Sequence, residues 1–175
     1  NGILIRSAEA LETAHKLNTV VLDKTGTITN GTPTLTDVLP VEGSNADELL
    51  PLIAAAERDS EHPLASAIVA GAEQRGLAIP RASTFESITG QGVRAEVAGK
   101  TVLVGNARLL TTAGIDVSAL NAQADGLAAD GKTPMLAAID GRPAGVIGVA
   151  DTIKDGSIAA IADLAARGID VVMMT

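Results

Sequence analysis

The sequence predicts an α/β protein in which the two ends of the chain form one parallel-sheet layer and an α+β unit is inserted between them. Three observations carry this reading. Residues 19–22 and, apart from Asp170, residues 169–174 are apolar runs without alternation, the pattern of parallel strands covered on both faces. Each run follows a helical pattern, as one α/β layer requires. The hundred or so residues between them have a different texture, with short alternating strands, hairpin signals and helices.

In order along the chain, residues 7–17 read as a helix with Ser7 as N-cap and Ala10, Leu11, Ala14 and Leu17 at helical spacing. The first apolar strand follows and ends at Asp23. Residues 46–58 and 64–75 read as helices, and residues 83–89, 93–97 and 101–104 as short strands. A helix pair, 107–112 and 118–130, precedes strands 135–140 and 143–150, joined through Asp140-Gly141 as a hairpin. Helices on one side of an antiparallel sheet are expected for this unit, with junctions near Thr32-Pro33-Thr34 and Val149-Ala150-Asp151. Residues 158–166 then form a short helix closed by Gly168, ahead of the last strand.

Composition narrows the function. A net charge of −8 without a Lys/Arg block argues against nucleic acid or anionic lipid as partner. No cysteine is present, so a disulfide or thiolate metal site is excluded within these residues. No apolar run approaches the ~18 residues of a membrane span, and the chain is expected to be soluble. Phe85 is the one aromatic residue of the Phe/Tyr/Trp class, so a bound base would find few rings to stack on. Met173, Met174 and His15 read as core-strand and helix-surface residues, not metal ligands.

Asp23 stands where reactive groups gather in an open parallel sheet, at the carboxyl end of a strand. Lys24, Thr25, Gly26 and Thr27 follow with a cation, hydroxyls and a glycine, the groups a phosphate needs. A carboxylate so placed can attack a phosphoryl group once Mg²⁺ offsets the repulsion between the two anions. A strand-ending Asp in an Asx turn is the simpler account of a bare D-x-x-G. In the insertion, Pro63 begins a helix with Glu61-His62 in the turn before it, Gly90-Gln91-Gly92 joins two strands ahead of Val93, and Gly105-Asn106 leads a strand into a helix. Each of these has an ordinary explanation as turn or cap.

The string Asp-Lys-Thr-Gly-Thr-Ile-Thr at residues 23–29 resembles the phosphorylation motif of the P-type ATPases, within the haloacid-dehalogenase superfamily. Phosphatases of that superfamily carry an acid/base Asp two residues after the nucleophile; Thr25 stands there instead, which favours a longer-lived phosphoenzyme. Ser60-Glu61-His62-Pro63, Gly90-x-Gly92 and Gly105-Asn106, in that order, resemble the nucleotide-binding domain of the heavy-metal-transporting members. Carried over by position, the resemblance assigns Glu61 to the adenine amino group and His62 to the base. Gly90, Gly92 and Val93 would line the pocket, and Gly105 and Asn106 would lie near ribose and phosphates. Residues 1–12 resemble the segment leaving the last metal-binding membrane helix, closer to copper-type than zinc-type pumps, and residues 151–155 resemble the hinge-side motif.

The resemblance implies ATP and Mg²⁺ as cofactors, with Asp23 as the phosphate acceptor, Lys24 and Thr25 positioning the γ-phosphate, and Asp23 with the Thr25 carbonyl holding Mg²⁺. It implies a phosphorylation domain in two parts, 1–33 and 150–175, around a nucleotide-binding domain, 34–149. The parent would be a copper(I)-exporting pump, with this chain as a cytoplasmic portion that binds ATP and ADP and works with membrane and actuator domains outside it. Further Mg²⁺ ligands would lie beyond residue 175, so this chain by itself is expected to bind ATP without forming a phosphoenzyme. A zinc- or cadmium-type pump, and a nucleotide-sensing module whose Asp23 is never phosphorylated, are the alternatives.

Overall fold

The computed structural model describes residue 4 and residues 7–174. Residues 1–3, 5, 6 and 175 lie outside the described residues, and with them most of the segment that resembled the exit from a membrane helix. The chain divides into two compact units, Asn1–Thr32 with Thr152–Thr175, and Pro33–Asp151.

The first unit contains α1 (Ala8–His15), β1 (Thr19–Asp23), α6 (Ser157–Ala166) and β8 (Asp170–Met174). The Ser7 hydroxyl caps α1 by accepting the Ala10 N–H at 3.2 Å. β1 and β8 pair in parallel, with Asp23 opposite Met174 at their carboxyl ends. The expected burial on both faces is not met: Val21 is 56% exposed, and Val172, Met173 and Met174 are exposed with it. Among the described residues these two strands make a two-stranded sheet, so each has one neighbour, too little to cover an apolar strand.

The second unit is built on six strands in the order β2-β7-β6-β5-β4-β3: β2 (Thr29–Pro40), β3 (Ala82–Ile88), β4 (Gly92–Val97), β5 (Lys100–Gly105), β6 (Thr133–Ile139) and β7 (Arg142–Ile153). The pairs from β3 to β7 are antiparallel. β2 was not foreseen, because residues 29–40 carry two prolines and a glycine and show no period. It forms as an edge strand, where proline is tolerated. Hydroxyl bonds tie it to β7, from Thr34 to the Ala150 carbonyl at 3.2 Å and from Thr36 to the Gly148 carbonyl at 3.1 Å. Residues 32–34 lie within β2 and residues 149–151 within β7.

Helices cover both faces of this sheet, not one. Leu50, Ile53 and Ala54 of α2 (Ala46–Glu57) and Ile68 of α3 (Pro63–Gln74) share a core with Ala95, Val102, Val104 and Ile147. Leu110 of α4 (Ala107–Thr112) and Leu120 and Leu127 of α5 (Ser118–Ala129) share another with Leu103, Leu136 and Val146. The cause is visible in Val102-Leu103-Val104 and Leu136-Ala137-Ala138: successive side chains point to opposite faces, so an unbroken apolar run must be covered twice.

Candidate functional site

A cavity of about 350 Å³ lies at one end of the six-stranded sheet, in the size range of small-molecule sites. Antiparallel pairing brings four strand ends to this edge: the close of β3 at Ser87-Ile88, the start of β4 at Gly92-Val93, the close of β5 at Gly105, and the start of β6 at Thr133-Pro134-Met135. The end of α2 contributes Glu57, and the start of α3 contributes His62, Leu64 and Ala65.

The glycines are explained first by the chain itself. Gly92 faces Gly105 across β4 and β5. A Cβ on Gly92 would strike the Val104 carbonyl, and one on Gly105 would strike the Gln91 carbonyl. Two facing glycines let the strands close at the cavity edge. Asn106 then secures the turn: its Nδ2 donates to the Gly90 carbonyl at 3.0 Å, its backbone N–H to the Gln91 carbonyl at 2.9 Å, and its Oδ1 accepts the Leu109 N–H at 3.1 Å, capping α4. Gln91 is different. Its Oε1 is buried without a hydrogen-bond partner, and the residue lies in the wall of the cavity.

His62 is the N-cap of α3, its Nδ1 accepting the Leu64 N–H at 3.2 Å. While that bond stands, the ring hydrogen is on Nε2. The second polar anchor is Glu57, the last residue of α2, which is 2% exposed. Burial pushes its carboxyl up to about 7, against the opposing effect of a hydrogen bond with the Ser60 side chain. Among the described residues no lysine or arginine lines the cavity. Its walls of Leu64, Ile88, Val93 and Met135 suit a flat, uncharged group, with polyanionic parts kept outside.

The structure thus gathers His62, Gly90, Gly92, Val93, Gly105 and Asn106 in one cavity. Glu61 is not in its lining; it is exposed in the turn before α3, and the carboxylate the cavity does hold is Glu57. Sequence reasoning missed Glu57, Gln91 and Thr133–Met135. A signal for Glu57 existed: it falls four residues after Ile53 and three after Ala54, on the buried face of α2.

Asp23, Lys24 and Thr25 belong to the other unit, at the carboxyl end of β1. A wide turn, Lys24–Ile28, follows, with Gly26 at φ +77°, a left-handed conformation suited to glycine. Buried Thr29 holds the turn closed, its hydroxyl donating to the Lys24 carbonyl at 3.0 Å and accepting the Gly26 N–H at 3.3 Å. The segment leading into α6 grips it from outside. The Lys154 ammonium donates to the Gly26 carbonyl, and the Lys154 N–H and Ser157 hydroxyl both donate to the Ile28 carbonyl at 2.9 Å. The Asp23 carboxylate and Thr25 carbonyl are oxygen donors of the kind Mg²⁺ takes. No cluster of three or more His, Cys, Asp or Glu suited to a metal occurs among the described residues. No helix among them is long and apolar enough to cross a membrane.

A family model described as haloacid dehalogenase-like hydrolase matches residues 17–175. The chain is similar to a copper-exporting P-type ATPase of Bacillus subtilis (strain 168), 51% identical over 174 residues, and to a copper-transporting ATPase of Rhizobium meliloti (strain 1021), 47% identical over 174 residues. Each alignment covers 99% of this chain, which spans 22% and 21% of those relatives, about a fifth of their length. Among solved structures it is similar to a zinc-transporting PIB-type ATPase in the E2.Pi state, with TM-score 0.89 and 35% identity over 98% of this chain and 28% of that one. It also resembles the isolated N-domain of a copper-transporting P-type ATPase, with TM-score 0.55 and 27% identity over 67% of this chain and 98% of that one. With an aspartate closing a parallel strand and an antiparallel domain inserted after it, the chain belongs to the haloacid dehalogenase-like hydrolase family, and the two sequence relatives named above are copper P-type ATPases.

Proposed function

We propose that this chain is the ATP-binding and phosphorylation region of a copper(I)-exporting P-type ATPase, with Pro33–Asp151 binding the nucleotide and Asp23 accepting its γ-phosphate. The observation that carries it is the cavity. It offers apolar walls for a base, with the His62 ring and the buried residue Glu57 beside them, and among the described residues no lysine or arginine lines it to hold phosphates inside. Base and ribose are held there while the triphosphate stays in solvent, so ADP binds nearly as well as ATP.

At the other unit an Asp23 carboxylate oxygen bonds to the γ-phosphorus as the bond to the β,γ-bridging oxygen breaks, releasing ADP. Lys24 and Thr25 help position the phosphate. The Asp23 carboxylate and Thr25 carbonyl would hold Mg²⁺, which when bound offsets the charge repulsion at this step. Thr25 cannot act as the acid/base that would hasten hydrolysis of the acyl phosphate. In this reading the chain faces the cytoplasm and acts with membrane and actuator domains outside it. Copper as cargo rests on the sequence relatives.

Titration calorimetry on the 175-residue chain tests the binding half: ATP and ADP should bind, and His62→Gln should weaken both. Unchanged affinity in that variant would refute the site. In a pump of the length of the relatives, hydroxylamine-labile label from γ-labelled ATP should appear and be lost in Asp23→Asn. Label that persists would refute the acceptor.

A further inference from the structure

Met135 stands where the core on the α2–α3 face of the sheet gives way to the cavity. Successive residues of β6 point to opposite faces, and Leu136 is buried in the core shared with α4 and α5. Met135 faces the other way, packing against the core that holds Leu50, Ile53 and Ile68 while it lines the cavity. The residue is half-buried, so part of its surface is packed and part stays open. The chain has three methionines and no cysteine. Among the described residues Met135 is the one sulfur-bearing side chain in the cavity lining, whereas Met173 and Met174 lie on β8 in the other unit, 57% and 61% exposed.

A thioether within reach of solvent takes an oxygen atom from a hydroperoxide. The S–O bond forms as the O–O bond breaks: sulfur gives up two electrons, and the reduced peroxide leaves as water or alcohol, carrying the proton of its hydroxyl. The product replaces a flexible apolar contact with a polar S=O group. In the nucleotide-free chain, water reaches that oxygen through the open cavity. A base packed on the wall of Leu64, Ile88, Val93 and Met135 would strip the water away, and those apolar neighbours offer no donor in its place. The cost falls on the bound state, so affinity drops while the fold stands. Resting on the reading of this cavity as the nucleotide site, we propose that Met135 is an oxidation site through which hydroperoxides lower the chain's affinity for nucleotide.

The test treats the 175-residue chain with hydrogen peroxide, follows sulfoxide at each methionine by peptide mass spectrometry, and measures ATP affinity by titration calorimetry. Wild type with Met135 converted should bind ATP about tenfold more weakly. Met135→Leu, a swap of similar volume, should show the same affinity before and after peroxide, whatever its starting value, because Met173 and Met174 are oxidised in it as well. Methionine sulfoxide reductases for both epimers should return wild type to its starting affinity as Met135 is reduced. Independently of any variant, saturating ATP should slow oxidation of Met135 several-fold while Met173 and Met174 react at unchanged rates. Four results would overturn the proposal: a Met135 that resists peroxide while the other two are converted, ATP affinity unchanged by its conversion, an equal loss in Met135→Leu, or no protection of Met135 by ATP. The nucleotide site survives any of these if His62→Gln still weakens binding. No ATP binding to the reduced chain would overturn both.

Discussion

Replacing Glu57 by glutamine should change how the protein's stability depends on pH, even without nucleotide. The native carboxyl holds its proton up to about 7, whereas an unstructured glutamate loses it near 4.5. Between those values the native state binds more protons than the unfolded state, so the contribution of Glu57 to stability falls as pH rises from about 4.5 to about 7 and stays low above. The interval of roughly 2.5 pH units corresponds to about 3 kcal/mol, a large fraction of the 5–15 kcal/mol that holds a typical domain folded. Glutamine has no charge to bury. Urea unfolding at pH 4, 5, 6, 7 and 8 should show the two proteins diverging, with Glu57→Gln gaining about 3 kcal/mol on wild type between the extremes. At ordinary denaturant slopes that is a shift in midpoint difference on the order of 1–3 M urea. A constant offset between the two curves would show that Glu57 ionises as it would in water, and the reasoning from its burial would fail.

Three further outcomes follow from the same structure. Gly105→Ala, whose Cβ would strike the Gln91 carbonyl, should cost at least ~2 kcal/mol in urea unfolding, whereas Gly126→Ala, in α5 with open space around it, should stabilise by ~0.5–1 kcal/mol. Lys132→Met breaks the 2.8 Å ion pair with Asp37 that holds the Asp37 carboxyl below its usual range; it should cost ~1–2 kcal/mol, and a double-mutant cycle with Asp37→Asn should recover most of that as coupling. Thr29→Val removes the hydroxyl bridging Lys24 and Gly26, and amide exchange at Gly26 should speed up about tenfold or more, for ~1.4 kcal/mol of lost local stability.

The helix starts were legible because their signals are local. Ser7, Asn106 and Pro63 stand where caps and first turns require them, and each does that work in the structure. β2 was not legible, since an edge strand is held by its neighbour's carbonyls and leaves no periodic mark in residues 29–40. Cover on both faces of the central sheet was readable in Val102-Leu103-Val104, but alternation in β3 pointed to one-sided cover. Motif reading found the glycine and asparagine half of the cavity, because those residues shape the backbone. Glu57, five residues before His62, reaches the cavity from the buried end of α2, and Met135 comes from a strand distant in the chain, while Glu61, next to His62, is exposed. Proximity in sequence is a poor guide to which carboxylate a cavity encloses.

The central claim, that a nucleotide occupies the cavity at the strand ends, is tested most directly by mapping the contact. ATP titrated into isotope-labelled 175-residue chain should move the NMR signals of Glu57, His62, Gly90–Val93, Asn106 and Met135 in one saturable process, and ADP should move the same set at similar concentration. Saturable shifts confined to the groove of Glu86, Arg94 and Asp140, or to the Asp23 turn, or no shifts at millimolar ATP, would contradict it.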